Sequence, residues 1–239
     1  METSPTDASA KAQPLVVLER VEKRYGAFRP ALVGLDLGIA RGEFVVIEGP
    51  GGAGKSVLLR LLAGLENPSG GTIQLAGENL ARLRPRALAQ VRRSMGILPP
   101  ADALLGARSA VENVALAAWV AGTQEQEGLR RARAALELVG LDVGRYGAAP
   151  CMRLASGQRH CVALARALVN RPALLLLDDP GVPLEPAQAS RLLQVIDQFA
   201  QAGVTVIASR RADAAPAAAA QAWPARARIV RLHDGAIVP

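Results

Sequence analysis

Aromatic side chains are scarce in this chain. Two tryptophans, two tyrosines and three phenylalanines make up 3% of its 239 residues. A surface that grips nucleic acid by stacking needs more rings than that, and no DNA- or RNA-reading motif is present. Cysteine is nearly absent too. Cys151 and Cys161 cannot build a disulfide framework and point to a reducing compartment. With only His160 and His233 beside them, the ligand set of a zinc site is missing. No apolar run approaches the roughly 20 residues of a membrane span. Residues 1–14 carry acids, Ser, Thr and Pro without an apolar centre, which predicts a disordered tail and not a signal peptide. Any membrane association is expected to be peripheral.

Half of the residues are apolar, so the core is large and aliphatic. The length suits one large α/β domain, with room for a small subdomain. The net charge is +7 and the pI near 10.4. Arginines gather at Arg82, Arg84, Arg86, Arg92 and Arg93, and again at Arg130, Arg131 and Arg133. Such clusters read as solvated helix faces or as attraction to an anionic inner leaflet or a membrane partner. No nucleic acid partner is expected.

The stretch that organises the chain is Gly49-Pro50-Gly51-Gly52-Ala53-Gly54-Lys55-Ser56. An apolar strand, Phe44–Ile47, precedes it, and a helix beginning near Val57 and ending at Gly64 follows. Strand, Gly-rich turn and helix start come in the order a phosphate cradle needs. The glycines let the backbone curl its N–H groups into one concavity, and the helix N-terminus adds partial positive charge. Lys55 can reach the β- and γ-phosphates of a nucleotide, and the Ser56 hydroxyl can ligate Mg²⁺.

Strands are expected over 15–21, 31–37, 43–48, 72–75, 95–98, 173–177, 204–208, 229–232 and 236–238. Helices are expected over 85–93, 109–121, 124–139 and 156–169, and after Pro186. Ser109-Ala110-Val111-Glu112 reads as a capping box. Residues 212–222 are Ala-rich, a loose helix or a linker. The alternation predicts a mainly parallel sheet with an antiparallel β flank. Two consecutive helices break it, which suggests a helical subdomain over about 98–168. Asp178-Asp179 closes an apolar strand that reads as buried on both faces, where carboxylates are costly unless they act. Beside a phosphate loop, Asp178 would hold Mg²⁺ through water and Asp179 would face the attacking water.

At this point the chain resembles the nucleotide-binding subunits of ABC ATPases over roughly residues 15–238. The resemblance implies a P-loop NTPase fold of ABC type, a single ATP-binding domain over 15–239, and ATP with Mg²⁺ as ligands. It makes Tyr25 the ring that stacks on adenine, 49–56 the Walker A loop and 174–178 Walker B. Leu154-Ala155-Ser156-Gly157-Gln158 becomes the signature, with Ser156 and Gly157 facing a γ-phosphate, and Leu184-Glu185-Pro186 the D-loop. Nucleotide contacts then fall on Tyr25, Gly49, Pro50, Gly51, Gly52, Ala53, Gly54, Lys55, Ser56, Val57, Ser156 and Gly157. The metal falls on Ser56 and Asp178, and catalysis on Asp179 and Lys55. Within the family, residues 91–97, 111–114, 167–172 and 203–206 are similar to cell-division subunits of FtsE type; lipoprotein-release and amino-acid-import subunits share much of this text.

The departures gather at the catalytic positions. The Q-loop glutamine falls on Pro100, which has neither a side-chain amide nor an N–H. The catalytic glutamate is Asp179, one methylene shorter. The signature serine is Ala155, and the switch histidine is replaced by Arg210 or Arg211. The resemblance therefore implies a homodimer that sandwiches MgATP and turns it over slowly. The dimer would act with an FtsX-like protein or a permease at the cytoplasmic face of a bacterial inner membrane. A transporter subunit and a non-hydrolysing, ATP-binding pseudo-ATPase are the alternatives.

Overall fold

The computed structural model describes residues 14–27, 29–99, 103–181, 184–212 and 223–239. Residues 1–13 of the expected tail, Pro100, Val182-Pro183 and all but the first residue of the Ala-rich 212–222 stretch lie outside them.

Two sheets organise the chain. Strands β1 (Val16–Lys23), β2 (Leu32–Ile39), β4 (Gly70–Leu75) and β5 (Glu78–Asn79) form an antiparallel sheet in the order β2-β1-β4-β5. The second sheet contains β3 (Phe44–Gly49), β6 (Met95–Leu98), β7 (Leu174–Leu177), β8 (Thr205–Arg211), β9 (Arg228–His233) and β10 (Ala236–Val238), in the order β10-β9-β3-β8-β7-β6. Its pairs from β9 to β6 are parallel, and β10 closes an antiparallel hairpin with β9. The mainly parallel α/β core and the antiparallel flank match the fold class expected from the alternation.

Strand period explains the layers. Val45, Ile47, Leu174, Leu176 and Ile207 face one side of the parallel sheet. There they pack on the antiparallel sheet and on α1 (Lys55–Leu62). Their alternates Phe44, Val46, Leu175, Leu177, Val206 and Ala208 face the other side. That side is covered by α3 (Ala110–Val120), α4 (Glu125–Leu138), α6 (Ser156–Leu168) and α7 (Pro186–Gln201). Between them in the chain come the short basic α2 (Pro85–Arg93) and α5 (Val143–Tyr146). β7 lies between two parallel neighbours, and all four of its leucines are buried.

The chain's own punctuation sets the ends. The Ser109 Oγ accepts the Glu112 N–H at 3.2 Å, and the Glu112 carboxylate accepts the Ser109 N–H at 2.8 Å. This is the expected capping box. Gly140, at φ 85, closes α4. Asp234 and Gly235, at φ 50 and 80, make the two-residue turn between β9 and β10.

Two expectations need correction. β8 continues to Arg211 instead of stopping at Ala208. Ser209, Arg210 and Arg211 stay extended because they pair in register with Ile47, Glu48 and Gly49 of β3. Sheet pairing outweighs the polar change that signalled an end. β5 and α5, of two and four residues, were not expected; neither is long enough to show a period. Cys151 and Cys161 are both buried, and neither is in a disulfide.

Asn113 fastens the segment before α3. Only 1% of it is exposed. Its Oδ1 accepts the Leu105 N–H at 2.8 Å, and its Nδ2 faces the carbonyls of Leu105, Arg108 and Ser109 at 2.9–3.2 Å. Asn113→Ala leaves these groups without that partner, at a cost of roughly 2–3 kcal/mol. Ser109→Ala loses only a cap, about 1 kcal/mol. Urea unfolding of the two variants should rank them in that order; the reverse order would remove Asn113 from this role.

Candidate phosphate-binding site

Backbone crowding shapes the loop between β3 and α1. A Cβ on Gly49 would sit 2.1 Å from the Leu232 carbonyl oxygen of β9. One on Gly54 would sit 2.5 Å from the Ala31 carbonyl oxygen, and Gly54 has φ 103, which disfavours any side chain. The Gly235 N–H donates to the Ala53 carbonyl at 3.1 Å, so the β9–β10 turn braces the loop from outside. Gly54 caps α1 with no side chain, and the amides of the first turn, Ser56 and Val57 among them, face the loop. Gly51 and Gly52 are exposed, and space for a Cβ on Gly52 is open. The result is a narrow-walled, open-mouthed cradle at the positive end of a helix.

Lys55 is buried, and its Nζ donates to the carbonyls of Gly49 and Pro50 at 2.8 Å each. The ammonium is thus folded across the loop. Ser56 follows it on the first turn of α1 and is half-buried.

Beside the loop, β7 delivers Asp178 and Asp179. Asp178 is 4% exposed, and its Oδ1 accepts the Ser209 hydroxyl at 2.5 Å. The same hydroxyl oxygen accepts the Asp179 N–H at 2.9 Å. Asp179 adopts φ 45, a left-handed conformation that this bond helps to hold. Burial pushes the Asp179 carboxyl up, and the Asp178 charge adds to it. Lys55, Arg211 and the Arg211 N–H pull it back only in part. Two charges of each sign therefore meet at the mouth of the loop.

Arg210 and Arg211 are separated by the strand period. Arg210 faces its register partner Glu48 and bonds to it, and Arg231 approaches the other oxygen of Glu48. Arg211 points to the opposite face, where its Nη2 lies 3.5 Å from the position a Gly51 Cβ would take. Of the two arginines, Arg211 is the one at the phosphate loop.

Tyr25 stands apart from these groups. It is 41% exposed, its hydroxyl donates to Glu66 at 2.5 Å, and the Lys23 ammonium lies 4.9 Å from its ring centre. Arg60 also bonds to that hydroxyl. Burial raises the Glu66 carboxyl, but hydrogen bonds from Tyr25, Arg60 and Lys23 outweigh it and hold the pKa at about 2. Ser156 and Gly157 begin α6, across the parallel sheet from α1. Within one chain the sheet separates them from the cradle. Ala155 has no oxygen to cap with; Gln158 covers its N–H at 2.9 Å. A cavity of about 670 Å³ opens at the other end of α6, among Arg130, Arg131, Asn170, Arg171 and Phe199, far from this chemistry.

Comparisons with known proteins give the family. The family model described as ABC transporter matches residues 32–182. The cell-division ATP-binding protein FtsE of Escherichia coli (strain K12) is 37% identical over 193 residues, 81% of this chain and 86% of that one. This chain belongs to the ABC transporter family. The methionine import ATP-binding protein MetN of Brucella abortus (strain 2308) is also 37% identical, over 83% of this chain and 53% of its own length. Among solved structures, the dimeric post-hydrolysis state of the ATP-binding cassette MJ0796, bound to ADP and Pi, overlays with a TM-score of 0.84 at 28% identity. The overlay covers 94% of this chain and 97% of that one.

The ABC cassette of this chain thus gathers Lys55, Ser56, Asp178, Asp179 and Arg211 at one edge of the parallel sheet. Tyr25, Ser156 and Gly157 stand elsewhere on the same chain. Sequence reading missed Ser209, which ties the Asp178 carboxylate and the Asp179 backbone N–H to β8; a serine inside an otherwise apolar strand was the available signal. No group of three or more His, Cys, Asp or Glu gathers as a metal site among the described residues. The residues here still suit Mg²⁺: a serine hydroxyl and a carboxylate are hard oxygen donors that leave room for phosphate and water.

Asp179 stabilises the fold when protonated, and that contribution is lost as pH rises through its raised pKa. At neutral pH its charge is a liability. Asp179→Asn should raise the Tm of nucleotide-free protein at pH 7.5 by about 2–4 °C, and the gain should shrink toward pH 4. An unchanged or lower Tm at pH 7.5 contradicts this.

Proposed function

We propose that this chain is an ATP-binding ABC subunit that binds MgATP firmly, hydrolyses it slowly, and works in an FtsE-like role beside a transmembrane partner. The observation that carries the slow turnover is Asp179. Its short side chain starts from a backbone pinned by Ser209 in a left-handed conformation. It cannot lean forward to recover the methylene a glutamate would supply. A shift of about 1 Å in a polarising group can lower a rate on the order of 10²-fold.

Binding is a separate matter. The loop amides from Gly49 to Gly54 and the first turn through Val57 would surround the phosphates. Lys55 would exchange its two carbonyl partners for phosphate oxygens. Mg²⁺, held by Ser56 and through water by Asp178, supplies neutralisation of phosphate charge when bound. Arg211 would put a permanent cation where a titratable histidine is usual, which favours holding anionic phosphate. The Tyr25 ring, with Lys23 beside it, would offer its open surface to adenine. Ser156 and Gly157, across the sheet from α1, would serve the loop of a second copy in a head-to-tail homodimer. The MJ0796 cassette is dimeric and holds ADP and Pi, which supports this arrangement.

No helix among the described residues is long and apolar enough to cross a membrane. A membrane protein of FtsX-like or permease type would therefore anchor the dimer at the inner face. Nucleotide-driven closure would reach it through residues 98–114. The equal identity of MetN keeps a transporter role as the second reading.

Steady-state phosphate release tests the reading. Wild type should turn over slowly, Asp179→Glu should raise kcat about tenfold or more with KM little changed, and Lys55→Ala should abolish the calorimetric heat of ATP binding. Fast turnover in wild type would refute it. Purification from membranes then separates the roles: a small four-helix partner supports division, a larger permease transport.

A further inference from the structure

His160 is buried one turn into α6, four residues after Ser156 and on the same face of the helix. Its Nε2 lies 2.7 Å from the carbonyl oxygen of Pro180. A carbonyl only accepts, so Nε2 carries the proton and donates. Pro180 is itself buried and is the residue directly after Asp179. The two-residue segment Asp179-Pro180 is therefore held from both sides. Ser209 of β8 takes its first N–H, and His160 of α6 binds its second carbonyl. Pro180 can offer no N–H of its own, so the carbonyl is its one main-chain anchor.

We propose that His160 is a positioning residue, through which the N-terminal turn of α6 sets the placement of Asp179. The end of α6 that would meet the second copy's phosphate is joined, through the His160–Pro180 hydrogen bond, to the backbone that carries the carboxylate of its own site. The left-handed φ of Asp179 makes the segment sensitive to that bond. A backbone in a sparsely populated conformation relaxes when an anchor is lost. Engagement of Ser156 at one site would thus be felt at Asp179 of the other, with no change at the phosphate cradle of either.

The idea rests on Asp179 being the water-facing carboxylate, so its test separates the two. His160→Leu removes the donor and keeps an apolar side chain; His160→Gln keeps a donor that reaches the same carbonyl. In nucleotide-free protein, hydrogen exchange of the Asp179 and Gly181 amides should quicken about tenfold in the leucine variant. It should be near wild type in the glutamine variant, with the peptide over 49–55 unchanged in both. kcat should fall about tenfold in His160→Leu with KM within twofold, and recover in His160→Gln. If wild type shows no turnover, the exchange result still decides the positioning role, and the hydrolytic reading fails alone. In unaltered protein, the His160 Nε2–H proton resonance should shift when a non-hydrolysable ATP analogue and Mg²⁺ are added. Unchanged exchange at 179–181 in His160→Leu, loss of kcat that His160→Gln does not restore, or an unmoved resonance would each overturn the proposal.

Discussion

The close approach of three main-chain segments around the phosphate loop is the constraint on which this structure depends. β9 presses against Gly49, the residue before β2 presses against Gly54, and the turn after β9 donates into the loop at Ala53. A curled run of glycines has many conformations in isolation, and fixing one costs about 1–2 kcal/mol per residue in backbone entropy. That cost is met by packing outside the loop. The cradle is preformed because strands far away in sequence leave it no other shape. This is why the antiparallel flank and the C-terminal hairpin, which carry no chemistry, matter to the site.

Charge follows from that rigidity. A loop that exposes amides and carries Lys55 makes a strongly positive mouth, and Arg211 adds to it. The two aspartates at the end of β7 answer that charge, and they also repel each other. Asp178 is satisfied by Ser209, whereas burial and its neighbour leave Asp179 raised.

Much of this was legible before any coordinates. The phosphate loop lay between an apolar run and a helix start, and its glycines had a steric reason visible in their spacing. The capping box at Ser109, the apolar strand ahead of Asp178 and the turn at Asp234-Gly235 could each be read from a few neighbouring residues. What stayed hidden depends on partners distant in the chain. Whether Arg210 or Arg211 faces the loop is decided by register against Glu48 and Gly49, and no local pattern in 204–211 carries that register. His160 looked like a spare histidine, because its partner is a carbonyl twenty residues on. Ser209 looked like the end of a strand, because the Asp178 carboxylate and the Asp179 N–H that bond its hydroxyl follow the neighbouring strand.

In the proposed function, binding and hydrolysis come apart for a geometric reason. Under that proposal, phosphate binding would be distributed over many amides, one ammonium and a helix end. Polarising a water depends on one carboxylate reaching one point. Asp179, the carboxylate proposed for that task, is short, and its backbone is fixed by Ser209 ahead of it and His160 behind it. The same anchors that would keep a glutamate well aimed keep an aspartate from compensating for its length. Under the proposed function, the rigidity that shapes the cradle would also slow the chemistry.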